Sequence, residues 1–315
     1  MSSVSDLIHK ELQGQDIVVL PNGYRFALSE GHTDLTISPV QIEDDEWGLC
    51  EIISVRTVFK EGTYQLNPAQ VAHLNGRSAF GSLYLNDGNL ECKQSISIYK
   101  EEPASRWYAL IILTSLGSQL PFVIGQIRSE ASDESFRENR ANLEFPRQWQ
   151  TPPSPELFDV AAEHFQQMGL VSTSTSSGLV LEVPLTEESA PSRMMDSSSE
   201  TALLHVSVDT PHPIAGVGYL STIALPIDPA DDVIVDVANK LNELEDEQLD
   251  FVPRLGSWCV RGMGNQLVYA MFWPTSTSDE NMHSIMMNWM LHRTVWIREN
   301  FWESGKGVTI EGVNR

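Results

Sequence analysis

DPADDVIVDVANKLN, residues 228–242, and NPAQVAHLN, residues 67–75, are written in one grammar, and their recurrence decides the fold. In each, an acid or its amide precedes Pro-Ala. Asp228 and Asn67 can accept a backbone hydrogen bond as N-caps, and Pro229 and Pro68 suit the first helical position, where no N–H is needed. Val233, Val237 and Leu241 then recur at helical spacing in the later copy. Gln70 stands where the reciprocal partner of a capping box belongs, with Asn in the cap where Ser or Thr is usual. Both helices reach a Leu-Asn pair, Leu74-Asn75 and Leu241-Asn242.

Working outward, each copy continues with a strand opened by Gly-Ser, Gly81-Ser82 and Gly256-Ser257. Tight turns follow, Asn86-Asp87-Gly88-Asn89 and Gly262-Met263-Gly264-Asn265, whose glycines supply the positive φ that short hairpins need, and then a second strand. A long apolar helix closes each copy, from Pro103 to about Leu116 and over Met282–Leu291. Before the middle helix, Val4, Leu7, Ile8 and Leu12 form one helical face, and extended runs follow at 17–20, 24–28, 35–40 and 47–59. The second copy starts a helix at Ser154 or Pro155, carries Leu157, Phe158, Ala161, Ala162, Phe165 and Met168, and stops at Gly169. Its strands are expected at 178–184, 201–208 and 217–225, with Thr186–Glu200, rich in Ser and Glu, as a loop. Each half is read as helix, three strands, helix, two strands, helix. The expected fold class is therefore α+β: two tandem α-β-β-β-α-β-β-α units, each an antiparallel sheet packed by helices. The boundaries expected are a first repeat over 1–128, a linker over 129–153 that ends in Thr151-Pro152-Pro153, and a second repeat over 154–315.

Composition agrees with two domains, since 315 residues suit about two units of roughly 150. A net charge of −23 argues against a nucleic-acid partner, because phosphate repulsion would need a basic patch to overcome it. Nine acids (Asp228, Asp231, Asp232, Asp236, Glu243, Glu245, Asp246, Glu247, Asp250) face Lys240 alone between 228 and 250. The plain reading is a solvated helix face, and the sharper one a docking face for a basic partner. The chain lacks an apolar run of membrane-spanning length, and Met1–Gln13 lacks a signal-peptide layout, so no membrane association and a cytoplasmic location are expected. Cys50, Cys92 and Cys259, odd in number and scattered on expected strands, read as reduced core thiols.

The sequence carries no nucleophile elbow, P-loop, dinucleotide fingerprint or zinc spacing. The eight histidines show no pairing with Cys, Asp or Glu that would make a strong metal site, so neither metal nor cofactor is expected. Glu43-Asp44-Asp45-Glu46 lacks the Gly and distal Glu of a calcium loop and reads as a solvated turn. Asp209-Thr210-Pro211-His212-Pro213 reads as a rigid turn, and Gly262-Met263-Gly264 as a hairpin rather than a phosphate cradle. Asn75 and Asn242 are expected to tie helix ends to nearby backbone.

The order of elements, with the Leu-Asn helix end and the Gly-Ser strand after it, resembles the type III secretion chaperone-like fold, and within it the YbjN-like bacterial family. The middle helix of that family often ends with two asparagines three apart. Asn239 and Asn242 match this, whereas the first copy has Ala72 before Asn75, and the second copy inserts extra residues between Asn242 and Gly256. The resemblance implies a non-enzymatic, chaperone-like protein-binding protein whose two repeats form an internal pseudo-dimer, the chain being monomeric or a homodimer. An assembly subunit and an enzyme with an inter-repeat cleft are the alternatives.

The closing helices supply the candidate contact residues. Met282, Ile285, Met286, Met287, Trp289, Met290 and Leu291 point almost all round one axis, and a helix of that kind needs cover on two sides. Five of eight tryptophans also fall in the last region. Trp107, Ile111, Met286, Trp289, Met290 and Trp296 are therefore the expected partner or inter-repeat contacts, with mutual cover by the repeats as the plainer reading.

Overall fold

Asn67 and Gln70 close the expected capping box: the Gln70 N–H donates to Asn67 Oδ1 and the Asn67 N–H donates to Gln70 Oε1, both at 2.9 Å. Helix α1 (Pro68–Ser78) starts from this box. In the computed structural model the described residues are 8, 10, 12, 17–41, 49–78, 81–86, 88–99, 125, 127, 154–186, 200–208, 217–227, 233–249, 252–261, 266–274 and 282–311. The expected closing helix of the first repeat with Trp107 and Ile111, the linker 129–153, the acidic loop 43–46, the helix start 228–232, and the turns 209–213 and 262–265 lie outside them.

Strands β1 (Val18–Leu20), β2 (Gly23–Leu28), β3 (Gly31–Gln41) and β4 (Leu49–Phe59) precede α1, and β5 (Ser82–Asn86) and β6 (Asn89–Tyr99) follow it. They form one antiparallel sheet in the order β1-β2-β3-β4-β6-β5. Later in the chain come α2 (Pro155–Gln167), β7 (Val171–Thr175), β8 (Gly178–Pro184), β9 (Thr201–Ser207), β10 (Gly218–Ala224), α3 (Val233–Gln248), β11 (Ser257–Arg261), β12 (Gln266–Pro274) and α4 (Met282–Asn300). Their sheet runs β7-β8-β9-β10-β12-β11, the same order of strands. A small hairpin, β13 (Trp302–Glu303) with β14 (Gly307–Val308), ends the described chain. The protein is thus α+β with two similar units.

Two details differ from the sequence reading. Four strands, not three, stand before the middle helix in each unit; in the first they are the four extended runs named above. The extra strand of the second unit is β7, Val-Ser-Thr-Ser-Thr, which carries too few apolar residues to show a period. It is held by pairing with β8 and by Ser172, whose hydroxyl donates to the Ala162 carbonyl at 2.6 Å. The second difference concerns grouping. The compact units are Met1–Asn139 with Asp250–Gly256, and Arg140–Leu249 with Ser257–Arg315. Asp250–Gly256 therefore belongs with the first unit, because Arg254 makes an antiparallel backbone bridge with Ser95 of β6.

The first core gathers Phe59, Leu66, Val71, Leu74, Leu83, Leu90, Cys92 and Ile127 where α1 lies against β5. Ile8 and Leu12 are also buried, as their shared helical face predicts. In the second unit α2 lies over β7 and β8, α4 over β9 and β10, and α3 over β11 and β12. Alternation along β8 and β9 buries Leu179, Leu181, Val183, Ala202, Leu204 and Val206, one face of a pleated sheet. Gly169 at φ +83 ends α2, and the Leu170 N–H reaches back to the Phe165 carbonyl at 3.1 Å. Among the described residues no helix is long and apolar enough to cross a membrane.

Candidate functional site

Buried polar groups mark where each unit is specified. Asn75 donates to the Leu83 carbonyl and accepts from the Leu83 N–H, both at 2.8 Å. Asn242 does the same to Trp258, at 2.9 and 2.7 Å. Leu83 and Trp258 lie on β5 and β11, which among the described residues pair with one neighbour only and so end their sheets. Each amide side chain therefore imitates the missing strand at one residue, which satisfies backbone groups that burial would otherwise orphan. The expected tie from helix end to nearby backbone is present in both copies.

A second polar centre lies among α3, α4 and the sheet of the second unit. Arg293 on α4 donates to Glu245 on α3 at 2.5 Å, and both side chains are essentially fully buried. The Trp258 indole N–H donates to the other oxygen of Glu245 at 3.1 Å. The Arg293 guanidinium sits 4.2 Å from the Tyr269 ring centroid, a cation–π arrangement. This corrects the reading of Glu245 as one acid of a solvated face. The i to i+3 spacing from Asn242 turns it inward, while Lys240 and Glu243 remain a surface pair at 2.9 Å.

In the first unit, the sheet carries a row of charges across adjacent strands. Arg25 (β2) is registered with Asp34 (β3), and Asp34 with Arg56 (β4). Arg25 binds Asp34 through two 2.6 Å bonds, and Arg56 binds Glu91 (β6) likewise. Hydrogen bonding to Arg25 holds the Asp34 carboxyl below the usual carboxylate range. For Glu91, burial is the largest influence and acts upward. Donors from Arg56, Asn86 and Tyr84 together outweigh it, so the group ends below its ordinary value. These acceptors are engaged by their own sheet.

Cys92 and Cys259 follow the expectation of core cysteines, and the side chain of Cys50 lies outside the described ones. Burial pushes Cys92 up to about 12; it also pushes Cys259 up to about 11, with Arg261 pulling the other way. Both are free and buried. Among the described residues no group of three His, Cys, Asp or Glu is placed to hold a metal ion.

Four of the six expected contact residues lie on α4. Met286, Met290 and Trp296 are buried, together with Met282, His283, Met287, Arg293, Thr294 and Ile297, at intervals of three and four that define one broad inward face. Trp289 is half-buried, its ring 5.5 Å from that of Trp273. Trp107 and Ile111 lie outside the described residues.

The exposed apolar residues lie elsewhere. Val18 and Val19 on β1 are each more than half exposed, and so are Val160, Met168 and Val171. Val160 and Met168 recur eight residues apart, hence on one outer stripe of α2 and the residue that caps it, and Val171 begins β7. β1 and β7 occupy the same place in their sheets, the first-strand end of each. Both units therefore gather bare apolar side chains at the same edge. The signal was present in the sequence as Val18-Val19 beside a turn and as Val160 on the wrong face of an amphipathic helix. Singly exposed valines are common enough to pass unnoticed; their shared position is what carries meaning. No protein-family model matches the chain, and neither a curated protein nor a solved structure matches it.

Proposed function

We propose that the chain is a non-enzymatic protein-binding protein of chaperone-like type, built from two tandem YbjN-like repeats of type III secretion chaperone-like form. In this reading the first repeat also closes on a helix, Pro103 to Leu116, the repeats act as an internal pseudo-dimer, and the protein works in a bacterial cytoplasm. The observation that carries it is the placement of exposed valines and methionine at the first-strand edge of both units. An unpaired strand offers backbone donors and acceptors, and adjacent apolar side chains offer burial, which together suit an extended polypeptide segment. The strongly acidic balance favours a partner segment carrying Lys or Arg.

The test is capture from the native cell extract with wild type and with Val19→Lys/Val160→Lys. These sites are exposed, so the variant should fold as the parent does. A protein recovered in stoichiometric amount by the wild type and lost on the variant supports the proposal. Equal recovery by both, or no stoichiometric partner, overturns it.

A further inference from the structure

The opposite end of the first sheet holds a different feature. Among the described residues β5 pairs with β6 from Asn86↔Asn89 to Ser82↔Lys93 and no further, although β6 continues to Tyr99. Just past that point, on the strip of β6 beyond β5, Ser95 bridges to Arg254, within Val252–Gly256, a segment that follows α3 in the sequence. The Ser95 N–H donates to the Arg254 carbonyl at 3.1 Å and the Arg254 N–H donates back to Ser95 at 2.7 Å. The Gly81 N–H donates to the Leu255 carbonyl at 2.8 Å, and the Ser82 hydroxyl donates to the Gly256 carbonyl at 3.0 Å. All four bonds reach main-chain atoms of the segment, so they select an extended backbone rather than particular side chains. Val252 and Leu255 are buried and supply the apolar anchor.

Two further facts mark the strip as a receiving site with a tenant. Gly81 is shaped for it: at φ +67 an added Cβ would meet Gln94 Cγ at 2.6 Å and the Lys93 carbonyl oxygen at 2.9 Å, so the N–H that holds Leu255 is presented from a position only glycine fills easily. The tenant is also additional to the repeat. From Asn75 to Gly81 the first copy needs a short connection, whereas the second spends the longer stretch from Asn242 to Gly256, and Val252–Leu255 lies within that longer stretch, just ahead of the Gly256 that matches Gly81.

We infer that the strip along β6 beyond β5 is a strand-accepting site, and that Val252–Gly256 is a built-in occupant that closes it. A separate polypeptide takes the site in the same way: extended, with an apolar residue on each side of a residue that pairs with Ser95. Because the occupant is tethered, it competes at high local concentration, and the site opens only when the tether loses its grip.

The test uses the full chain and a fluorescein-labelled peptide of residues 250–257, followed by anisotropy. Arg254→Pro removes the N–H that donates to Ser95 while leaving the receiving residues intact. The variant should bind the peptide about tenfold or more tighter than wild type, since the cis competitor is weakened. Adding Gly81→Val to that variant should abolish the gain. A second variant with four Gly-Ser residues inserted after Leu249 loosens the tether without touching the segment, and it should shift the same way. Wild-type-like affinity in the folded proline variant, or in the insertion variant where the proline variant does not fold, overturns the inference. Partner capture through the first-strand edge is scored separately, so either result can fail alone.

Discussion

Arg293→Met is the most informative single change, because it separates what a buried ion pair costs from what its loss costs. Arg293 is fully buried, 2.5 Å from Glu245 and stacked on Tyr269, and Trp258 shares the same carboxylate. Removing the cation leaves the Glu245 carboxylate in the core without its countercharge, which should destabilise the second unit by about 3–5 kcal/mol. About 1–2 kcal/mol of that is the lost guanidinium–ring contact. Glu245→Leu should cost a similar amount by stranding Arg293. Replacing both, Glu245→Leu with Arg293→Met, removes the desolvation penalty along with the attraction and should cost less than either single change, the remaining loss being the ring contact to Tyr269 and the Trp258 indole N–H left without its acceptor. The assay is urea unfolding followed by tryptophan fluorescence. With an m-value of about 2 kcal/mol/M, each single variant should lower the midpoint by about 1.5–2.5 M. The thermodynamic cycle then isolates the coupling. Single variants costing less than about 1 kcal/mol, as a surface pair would, refute the reasoning. So does a double variant no more stable than the worse single.

Three other outcomes follow from the same geometry. Asn75→Ala and Asn242→Ala each delete two bonds and orphan a buried N–H and C=O, so each should cost about 2–4 kcal/mol. Hydrogen exchange should quicken at the Leu83 amide in the first and at the Trp258 amide in the second. Glu91 has a folded-state pKa below its ordinary value, so its contribution is fully present above the ordinary glutamate range and is lost as pH falls through the depressed value. Urea midpoints of wild type should therefore drop more steeply between pH 6 and 3 than those of Glu91→Gln, and parallel curves would contradict this. Cys92 and Cys259, with thiols raised by burial, should resist iodoacetamide at pH 8 and label only in urea, as peptide mapping by mass spectrometry would show.

What was legible in the sequence was local. Capping at Asn67 and Gln70, the stop at Gly169, the hairpin after Ser82 and the tie from Asn75 and Asn242 all depend on residues close along the chain, and their recurrence disclosed two similar α+β units. Periodicity also told that Phe158, Ala161, Ala162 and Phe165 of α2 and Val237 and Leu241 of α3 turn inward, although it grouped with them Met168, which is exposed. Tertiary structure alone decided the rest. Glu245 looked like its acidic neighbours, because nothing nearby announces Arg293, forty-eight positions on, as its partner. The apolar girth of α4 suggested two-sided cover, yet its buried residues form one broad face; composition counts apolar residues without saying which neighbours reach them. β7 became a strand through pairing that its Ser-Thr run could not advertise, and Val252–Gly256 joined a sheet more than a hundred and fifty residues earlier in the chain. Hydrogen bonds within a turn or a helix end are set by neighbours in sequence, whereas burial, ion pairing and strand acceptance are set by whichever distant residues the fold brings alongside.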